Sequence, residues 1–567
     1  MKFKKLLFVV ILFLVYSSLF AQNQDPSSIY RKERDKINNL VHTKLKVSFN
    51  FDQKELNGEE WLTLQPHFYP TNQVVLDAKA MIIHTVSLGG ENLDYTYDGK
   101  HLIIDLQNEY TKEESYTLYI KYTARPEKVK EKGSAAITSA KGLYFINPTG
   151  SDKSKPTQIW TQGETEASSC WFPTLDSPNQ KTSQEIYITV PNKFKTLSNG
   201  LLISQEVKGA NRTDYWKFNQ KHAPYLFFMG VGEYEVIEDS YKNIPVNYYV
   251  EKKYASLARE IFGLTPEMIG FFETKLGVNY PWNKYSQIVA REYVSGAMEN
   301  TTAVIHGESA YQMKGQLIDE NRQENTIAHE VFHHWFGNLV TTESWSKLAL
   351  NESFANYSQY LWREYKYGKT DADAHLFENT KPYLSDPSNH EKKLVRYYYN
   401  DKEDMFDLVS YNKGGAILHM LRRYLGDDAF FLGLKKYLNT YQYKSAEVSQ
   451  LRLALEEVSG KDLQWFFNQW FFGSGHPNIQ VSYDYNSLEK TVTVNFVQTQ
   501  NNAFKFPMAI DIFENGTKKR HHVFVDSRDS SFKFIYESKS PRTHNWRRTL
   551  YSLSIIFIDG HKIIRFV

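Results

Sequence analysis

A His-Glu-x-x-His pattern, followed at a set distance by another acidic residue, is the feature that most constrains this chain. His329 and His333 stand four positions apart, and Glu352 follows nineteen residues after His333. On a helix both imidazoles project from one face, one turn apart, which suits a single metal ion. Catalytic zinc takes three protein ligands and keeps one position open, and Glu352 can be the third. Glu330, beside the first ligand, can accept a proton from an attacking water.

The short pattern alone is weak evidence, because an ordinary amphipathic helix can contain it by chance. Glu352 at its spacing and the aromatic-Gly-Asn run at residues 335–338 make the pattern far more restrictive. His334 lies one residue off the ligand face, so we expect it to pack or hydrogen-bond rather than to bind metal. The residues therefore predict a zinc hydrolase centre with Glu330 as its base.

Three further segments stand in a definite order around this pattern. They are residues 161–164 continuing to Asp176, residues 296–300 and residues 406–414. Together with the zinc pattern they resemble the gluzincin aminopeptidases, the family that includes aminopeptidase N and the leukotriene hydrolases. The resemblance covers roughly residues 40 to 500. It implies a thermolysin-like α/β zinc catalytic domain and the removal of N-terminal residues from peptides.

The segment before the zinc pattern resembles the family's exopeptidase motif. By this resemblance Glu299 presents its carboxylate to the N-terminal ammonium of the substrate, and nearby backbone groups hold the peptide in line. The substrate-binding residues implied in this segment are Gly296, Ala297, Met298 and Glu299.

Two other segments supply the remaining residues of the predicted site. Glu164 matches a family residue that helps to bind the same ammonium, and Gln162 matches its neighbour in the pocket; Glu166 is the residue that a shifted match would select. Tyr411 resembles the catalytic tyrosine of the family, whose hydroxyl donates to the oxyanion that develops during attack on the carbonyl.

The first 21 residues have the features of an export signal. Lys2, Lys4 and Lys5 precede a wholly apolar run that ends at Val15, and a small residue, Ala21, follows. We expect cleavage after Ala21 and a periplasmic or extracellular location. An uncleaved N-terminal membrane anchor is the alternative, although the apolar run is short for a full span.

The rest of the composition predicts a large, soluble, multidomain protein without a stable membrane span after signal cleavage. The chain has 567 residues, of which 41% are hydrophobic and 23% charged. Lys and Arg number 67 against 65 acidic residues, a net charge of +2, so no basic field is present to attract nucleic acid. A single cysteine, Cys170, cannot form an intrachain disulfide.

The periodicity of apolar residues divides the chain into an α+β arrangement. Apolar and polar residues alternate in residues 22–240, which predicts an antiparallel β-sheet domain. Residues 241–475 become helical and contain the zinc pattern, and alternation returns in residues 476–537, which predicts a small β-sandwich. Residues 538–567 look unlike a sandwich strand and are compatible with a truncated or frameshifted terminus. Many members of the family carry a large C-terminal helical domain for which this sequence has no room.

These features predict a metalloaminopeptidase with one Zn²⁺ per chain, acting on peptides with a free N-terminus. Glu299 and Glu164 would fix the scissile bond one residue from the ammonium, which argues against an endopeptidase of the thermolysin type. A zinc endopeptidase, an epoxide hydrolase with aminopeptidase activity, a non-catalytic peptide-binding protein and an inactive truncated relative remain open. The sequence predicts no particular oligomeric state.

Overall fold

The structure is a computed structural model that describes residues 28–514, 517–535 and 563–565. The predicted export signal, residues 1–21, and most of the predicted tail, residues 538–567, lie outside the described residues. Among the described residues no helix is both long enough and apolar enough to cross a membrane. Buried apolar side chains form two large clusters, one centred on the N-terminal strands and one on the helices.

The N-terminal part is β-rich, as predicted. Neighbouring strands of its main sheet are antiparallel with one exception: Asn38–Asn50 runs parallel to Thr182–Pro191, a departure from the predicted antiparallel domain that residue alternation could not indicate. In sheet order, the eight strands are Leu201–Lys208, Asn211–His222, Thr182–Pro191, Asn38–Asn50, Glu55–Pro66, Tyr116–Ala124, Met81–Leu88 and Glu91–Asn92.

Two smaller sheets complete the N-terminal part. One has the strand order Thr71–Asp77, His101–Tyr110 and Tyr95–Tyr97. The other has the order Lys195–Ser198, Met229–Gly232, Gln158–Thr161 and Leu143–Ile146. All four residues of Gln158–Thr161 are buried, and this strand leads directly into Gln162 and Glu164. This four-stranded sheet therefore positions the predicted amine-binding segment.

Residues 234–307 contribute the strands of a six-stranded mixed sheet. Its strands, in order, are Tyr234–Ile237, Ile244–Glu251, Tyr285–Ala290, Ala303–Gly307 and Ala297–Met298, with Ser240–Tyr241 paired to Ile244–Glu251. The domain boundaries stay predictions, although Tyr234–Ile237, assigned by sequence to the N-terminal domain, pairs in this sheet. Farther along the chain, Val340–Thr342 and Lys444–Ala446 form a parallel pair.

Helices follow in the part of the chain where the sequence predicts them. The α-helices are Ala258–Phe262, Thr265–Leu276, Lys314–Asp319, Glu324–His333, Ala349–Tyr367, Lys369–Ser385, Gly414–Leu425, Asp427–Tyr441, Val448–Ser459 and Gln464–Trp470. The segment Val409–Lys413 is a π-helix that runs into Gly414–Leu425.

Close packing between two of these helices sets the geometry of the site. Gly414 and Gly415 lie against the helix Ala349–Tyr367, where a Cβ on either glycine would overlap Ser353 or Asn356. Only glycine allows the helices to approach so closely. This contact brings the segment that contains Tyr411 next to the turn that contains Glu352.

Strands return after residue 477, as the sequence predicts. One sheet has the order Asp529–Ile535, Thr491–Gln498, Asn478–Asn486 and Ile563–Arg565, and Phe506–Glu514 pairs with Thr517–Val525. Val494, Phe496 and Met508 are buried in the same cluster as the helices. The C-terminal strands therefore share a core with the helical part.

Candidate active site

The three predicted metal ligands converge on one point. The Nε2 atoms of His329 and His333 are 3.1 Å apart, and Glu352 Oε2 lies 3.3 Å from the first and 3.4 Å from the second. On the helix Glu324–His333 the apolar side chains, such as Val331, pack into the core, so the two imidazoles face the cleft. All three ligand residues are at least nine-tenths buried.

The surroundings of His333 leave its inward-facing nitrogen free for a metal. Its Nδ1 lies 3.0 Å from the Phe336 carbonyl oxygen, so Nδ1 carries the proton and donates it. Nε2 then keeps a lone pair. Gly337, with φ of 130°, makes this turn, and a Cβ there would lie 3.1 Å from His333 Nδ1. The aromatic-Gly-Asn run after the zinc pattern therefore orients a ligand.

Gln359 holds the other histidine and was not singled out from the sequence. Its side-chain amide lies 3.3 Å from His329 Nδ1 and 3.2 Å from His375 Nε2. The oxygen and nitrogen positions of a side-chain amide are inferred from their hydrogen-bond partners. In the structure the amide nitrogen faces His329 and the amide oxygen faces His375. Turning the amide by 180° places its oxygen towards His329, where it accepts the Nδ1 proton and leaves Nε2 as a ligand. Two imidazole nitrogens and one carboxylate oxygen then match the preferences of zinc.

The electrostatics of this cluster favour positive charge at its centre. Burial lowers the pKa of His333, but Glu299 and Glu352 outweigh burial and raise it to about 10. Burial raises the pKa of Glu352, but His333 and His329 outweigh burial and lower it to about 2. A cation is thus stabilised where the three ligand atoms meet.

Glu330 lies beside the cluster with a free oxygen. One atom each of Glu330, Glu299 and His333 lie within 4.8 Å of one another. Glu330 Oε2 is buried and accepts no hydrogen bond from any described residue. Burial, opposed by His333 and aided by Glu299 and Glu352, raises its pKa well above the usual value. This shift moves Glu330 towards the range in which it can take up and return a proton.

Tyr411 packs against His329. Its ring is stacked on the imidazole with centroids 6.0 Å apart and an interplanar angle of 8°. Burial and the charge of Glu352, with which its hydroxyl interacts, raise the Tyr411 pKa well above the usual value. The π-helix around it is fixed by Ser353 Oγ, which donates to the Ser410 carbonyl oxygen at 2.6 Å. Tyr411 therefore remains a protonated hydroxyl donor.

Glu164 and Glu299 form an acidic pair next to the metal ligands. Their carboxylates and that of Glu352 have oxygens within 4.8 Å of one another. In the described part of the chain, one oxygen of each member of the pair has no hydrogen-bond partner. Burial and the charge of Glu299 raise the pKa of Glu164, and burial, opposed by His333, raises that of Glu299. Among the described residues no lysine or arginine forms an ion pair with either carboxylate, and the one charged contact recorded is His333, whose Nδ1 lies 3.9 Å from Glu299 Oε1.

The other predicted substrate-binding residues line the same region. Gln162 Nε2 lies 3.4 Å from Met298 Sδ, and its Oε1 accepts a hydrogen bond from the Tyr293 hydroxyl at 2.5 Å. Gln162 thus joins the two predicted binding segments, which are far apart in sequence.

Gly296 and the strand Ala297–Met298 occupy the edge of the six-stranded sheet. The strand pairs on one side with Ala303–Gly307 and ends the sheet among the described residues. A Cβ on Gly296 would meet no atom within 4 Å. An extended peptide can add to such an edge through its backbone.

Some residues of the site have no motif that could have revealed them. The Tyr225 hydroxyl accepts from Asn351 Nδ2 at 3.3 Å and interacts with Glu299, whose pKa it lowers.

His334 lies outside the metal cluster: Nδ1 donates to the Glu330 carbonyl oxygen at 3.0 Å, and Nε2 accepts from Thr302 N at 3.2 Å. The sequence had indicated hydrogen bonding for His334.

Two family descriptions match the sequence. Residues 39–226 match the peptidase M1 N-terminal domain, and residues 261–470 match the peptidase family M1 domain. The chain belongs to peptidase family M1. All the metal-cluster residues, Glu330, Glu299 and Tyr411 lie within the second M1 match.

Similar proteins agree with membership of the M1 family. The chain is 27% identical to "Probable aminopeptidase 1" of Saccharolobus solfataricus over 83% of its own length and 58% of that protein. It is 30% identical to "Tricorn protease-interacting factor F2" of Thermoplasma acidophilum over 67% of its length and 48% of that protein. The chain thus spans less than two thirds of these relatives.

A solved structure shows the same fold. Legionella pneumophila aminopeptidase A, crystallised in complex with aspartic acid, matches with a TM-score of 0.75 and 19% identity. The match covers 89% of this chain and 58% of that one. The β-rich N-terminal part, the α/β part and the C-terminal strands therefore form an arrangement that is also found in that protein.

Proposed function

We propose that this M1 peptidase is a zinc aminopeptidase that removes the first residue from peptides with a free N-terminus. One observation carries the proposal: in a single buried cluster, a His-His-Glu ligand set lies beside two carboxylates that have unpartnered oxygens among the described residues. The names of the relatives, most of which are aminopeptidases, support it.

The proposed cofactor is one Zn²⁺ per chain, held by His329, His333 and Glu352. When bound, zinc polarises the scissile carbonyl and lowers the pKa of water. Gln359 and the Phe336 carbonyl oxygen keep the two imidazoles oriented.

Two residues of the chain carry out the chemical step. Glu330 accepts the proton of the attacking water and passes it to the leaving amine, a role that its raised pKa supports. The Tyr411 hydroxyl donates a hydrogen bond to the carbonyl oxygen as negative charge develops there.

Glu299 and Glu164 bind the α-ammonium of the substrate. An ammonium has three donors and a positive charge, which suit the unpartnered oxygens of this acidic pair. Residues 296–298 hold the peptide backbone along the sheet edge. Because the ammonium is fixed, the scissile bond lies one residue away, which makes the enzyme an exopeptidase rather than an endopeptidase.

The proposed place of action is outside the cytoplasm, in the periplasm or the extracellular space. The basic start and apolar run of residues 1–21 support export, with peptides as substrates. Trimming of peptides outside the cytoplasm is the corresponding task.

The test combines zinc content with hydrolysis of free and N-acetylated aminoacyl substrates. The chain from Gln22 onward is compared with its Glu330→Gln variant and with Glu320→Gln, a control on the exposed surface. We expect one zinc per chain, cleavage of free substrates only, loss of activity in Glu330→Gln and full activity in Glu320→Gln.

Two results would contradict the proposal. Efficient cleavage of acetylated substrates would show that Glu299 and Glu164 do not anchor an ammonium, as in an endopeptidase. Zinc binding without any hydrolysis would indicate a peptide-binding role.

A further inference from the structure

A third buried carboxylate lies beside the amine-binding pair. Glu403, on the short 3-10 helix Lys402–Met405, is 7% exposed. Its Oε1 accepts a hydrogen bond from Thr165 Oγ1 at 2.6 Å, and Thr165 directly follows Glu164. Its Oε2 is buried and has no hydrogen-bond partner among the described residues. Half of the carboxylate is therefore available to a ligand.

No described residue forms a direct ion pair with Glu403. The charge of the adjacent Lys402 lowers the pKa of Glu403, but Lys402 Nζ lies 3.8 Å from Glu166 Oε2 and 4.0 Å from Asp401 Oδ1. A buried carboxylate with one unpartnered oxygen is costly, and next to a substrate site a cation in the working complex would offset that cost.

The number of carboxylates exceeds what one ammonium requires. In the proposed function Glu164 and Glu299 together bind the α-ammonium, and Glu403 is left over. Glu403 is close enough for its charge to act on Glu164. A substrate whose only positive charge is its ammonium would leave Glu403 unpaired.

We propose, on the basis of the proposed aminopeptidase function, that Glu403 recognises the side chain of the substrate's first residue and selects lysine and arginine. The side chain branches from the carbon that bears the ammonium, so it begins next to Glu164. A long cationic side chain can then extend to the free Oε2 of Glu403. Arginine can also share its guanidinium between neighbouring acceptors.

The same arrangement disfavours the other classes of first residue. An acidic side chain would be repelled by three carboxylates, and an apolar one would leave Glu403 buried without a partner. A purely structural role for Glu403, through Thr165 alone, would affect every substrate equally. Selectivity for charge is therefore the property to measure.

The sharpest probe is a pair of substrates that differ in charge and little in shape. Lysyl and norleucyl amides serve this purpose, with arginyl, leucyl and glutamyl amides as extensions. For the zinc-loaded chain we expect kcat/KM to be at least about tenfold higher for lysyl than for norleucyl amide, because desolvated charge pairs contribute strongly to recognition. Glutamyl amide should be the poorest substrate.

Glu403→Gln removes the charge and keeps an oxygen for Thr165. We expect the preference for lysyl over norleucyl amide to fall by about tenfold or more, through slower lysyl hydrolysis and norleucyl hydrolysis that is not reduced. Asp404→Asn is the matched control, since it removes one exposed negative charge from the same short helix and keeps an acceptor for Asp401 N. It should leave the preference unchanged.

Equal hydrolysis of lysyl and norleucyl amides, or a preference unaffected by Glu403→Gln, would overturn this inference and leave the aminopeptidase proposal intact. Failure to cleave any free aminoacyl amide would instead contradict the proposed function. Calorimetric binding of lysine amide and norleucine amide to both forms would then decide the role of Glu403. Equal affinities for the two ligands would again overturn it.

Discussion

The two halves of the cleft bury the same kind of side chain in opposite electrostatic situations. In the metal half Glu352 faces two imidazoles, and its pKa falls to about 2 despite burial. In the amine half Glu164 lies near other carboxylates, so burial and the charge of Glu299 both raise its pKa. Nitrogen and oxygen ligand atoms together suit zinc, whereas carboxylates alone suit a positively charged hydrogen-bond donor such as an ammonium. The ligand atoms of each half thus support the proposal of zinc in one half and of an ammonium in the other.

The largest expected effect comes from breaking the metal half. Glu352→Gln removes the negative ligand and the partner of both imidazoles. Zinc affinity should fall by more than about 100-fold, because even residues behind the ligands cost 10–100-fold when altered. Titration against a chromophoric chelator measures this change. Glu164→Gln, in the amine half, should bind zinc as the unaltered chain does. An equal loss of zinc affinity in both variants would show that the two halves do not differ in metal binding.

Tyr411→Phe tests whether the hydroxyl acts on the reaction rather than on binding. Loss of one oxyanion donor lowers kcat by about 100-fold to 1,000-fold in other enzymes. We expect a decrease of this order in kcat, with zinc content unchanged and KM altered little, in steady-state kinetics. A raised KM with an unchanged kcat would assign Tyr411 to substrate binding instead.

Much of the metal half could be predicted from sequence because one helix fixes it. His329, Glu330 and His333 owe their relation to a single helical turn, and spacing is enough to predict it. Glu299 and Tyr411 needed the resemblance to a family, since nothing in their own neighbourhood indicates a role.

Other parts of the site could not be predicted, because they depend on contacts between distant segments. Thr165 and Glu403 are 238 positions apart, and only the fold brings them together. Gln359 looks like an ordinary polar helix residue until His329 is placed beside it. The parallel pairing of Asn38–Asn50 with Thr182–Pro191 is equally invisible to local periodicity.

Glu299→Gln tests the amine half through pH. KM for free aminoacyl substrates should rise by about tenfold or more, since a desolvated charge partner is lost. The acidic side of the pH profile of KM should also move. Glu164 binds an ammonium only while ionised, above its pKa, and Glu299 is one cause of its raised pKa. Glu299→Gln should therefore shift the acid rise in KM to lower pH; a shift to higher pH would contradict the pairing.

The smallest expected effect concerns a buried carboxyl outside the cleft. Glu60, on the strand Glu55–Pro66, is fully buried in the N-terminal core, and neither oxygen has a hydrogen-bond partner among the described residues. Burial alone raises its pKa well above 4.5. Glu60 differs from the cleft carboxylates because no second acid or metal cluster accompanies it, so no ligand is expected there.

Glu60→Leu should therefore stabilise the chain by about 1–3 kcal/mol, the cost of a buried unsatisfied group, without altering activity or zinc content. The folded state keeps Glu60 protonated, whereas the unfolded state ionises it above its ordinary pKa. Stability is thus lost as pH rises from that value towards the folded pKa, and the gain from leucine should be larger at pH 7 than at pH 5. Denaturant unfolding at both pH values measures this gain.

A loss of stability, or a gain that shrinks as pH rises, would mean that Glu60 is ionised and paired in the folded chain. A gain in stability with unchanged activity would separate this carboxyl from those of the cleft, whose removal costs function.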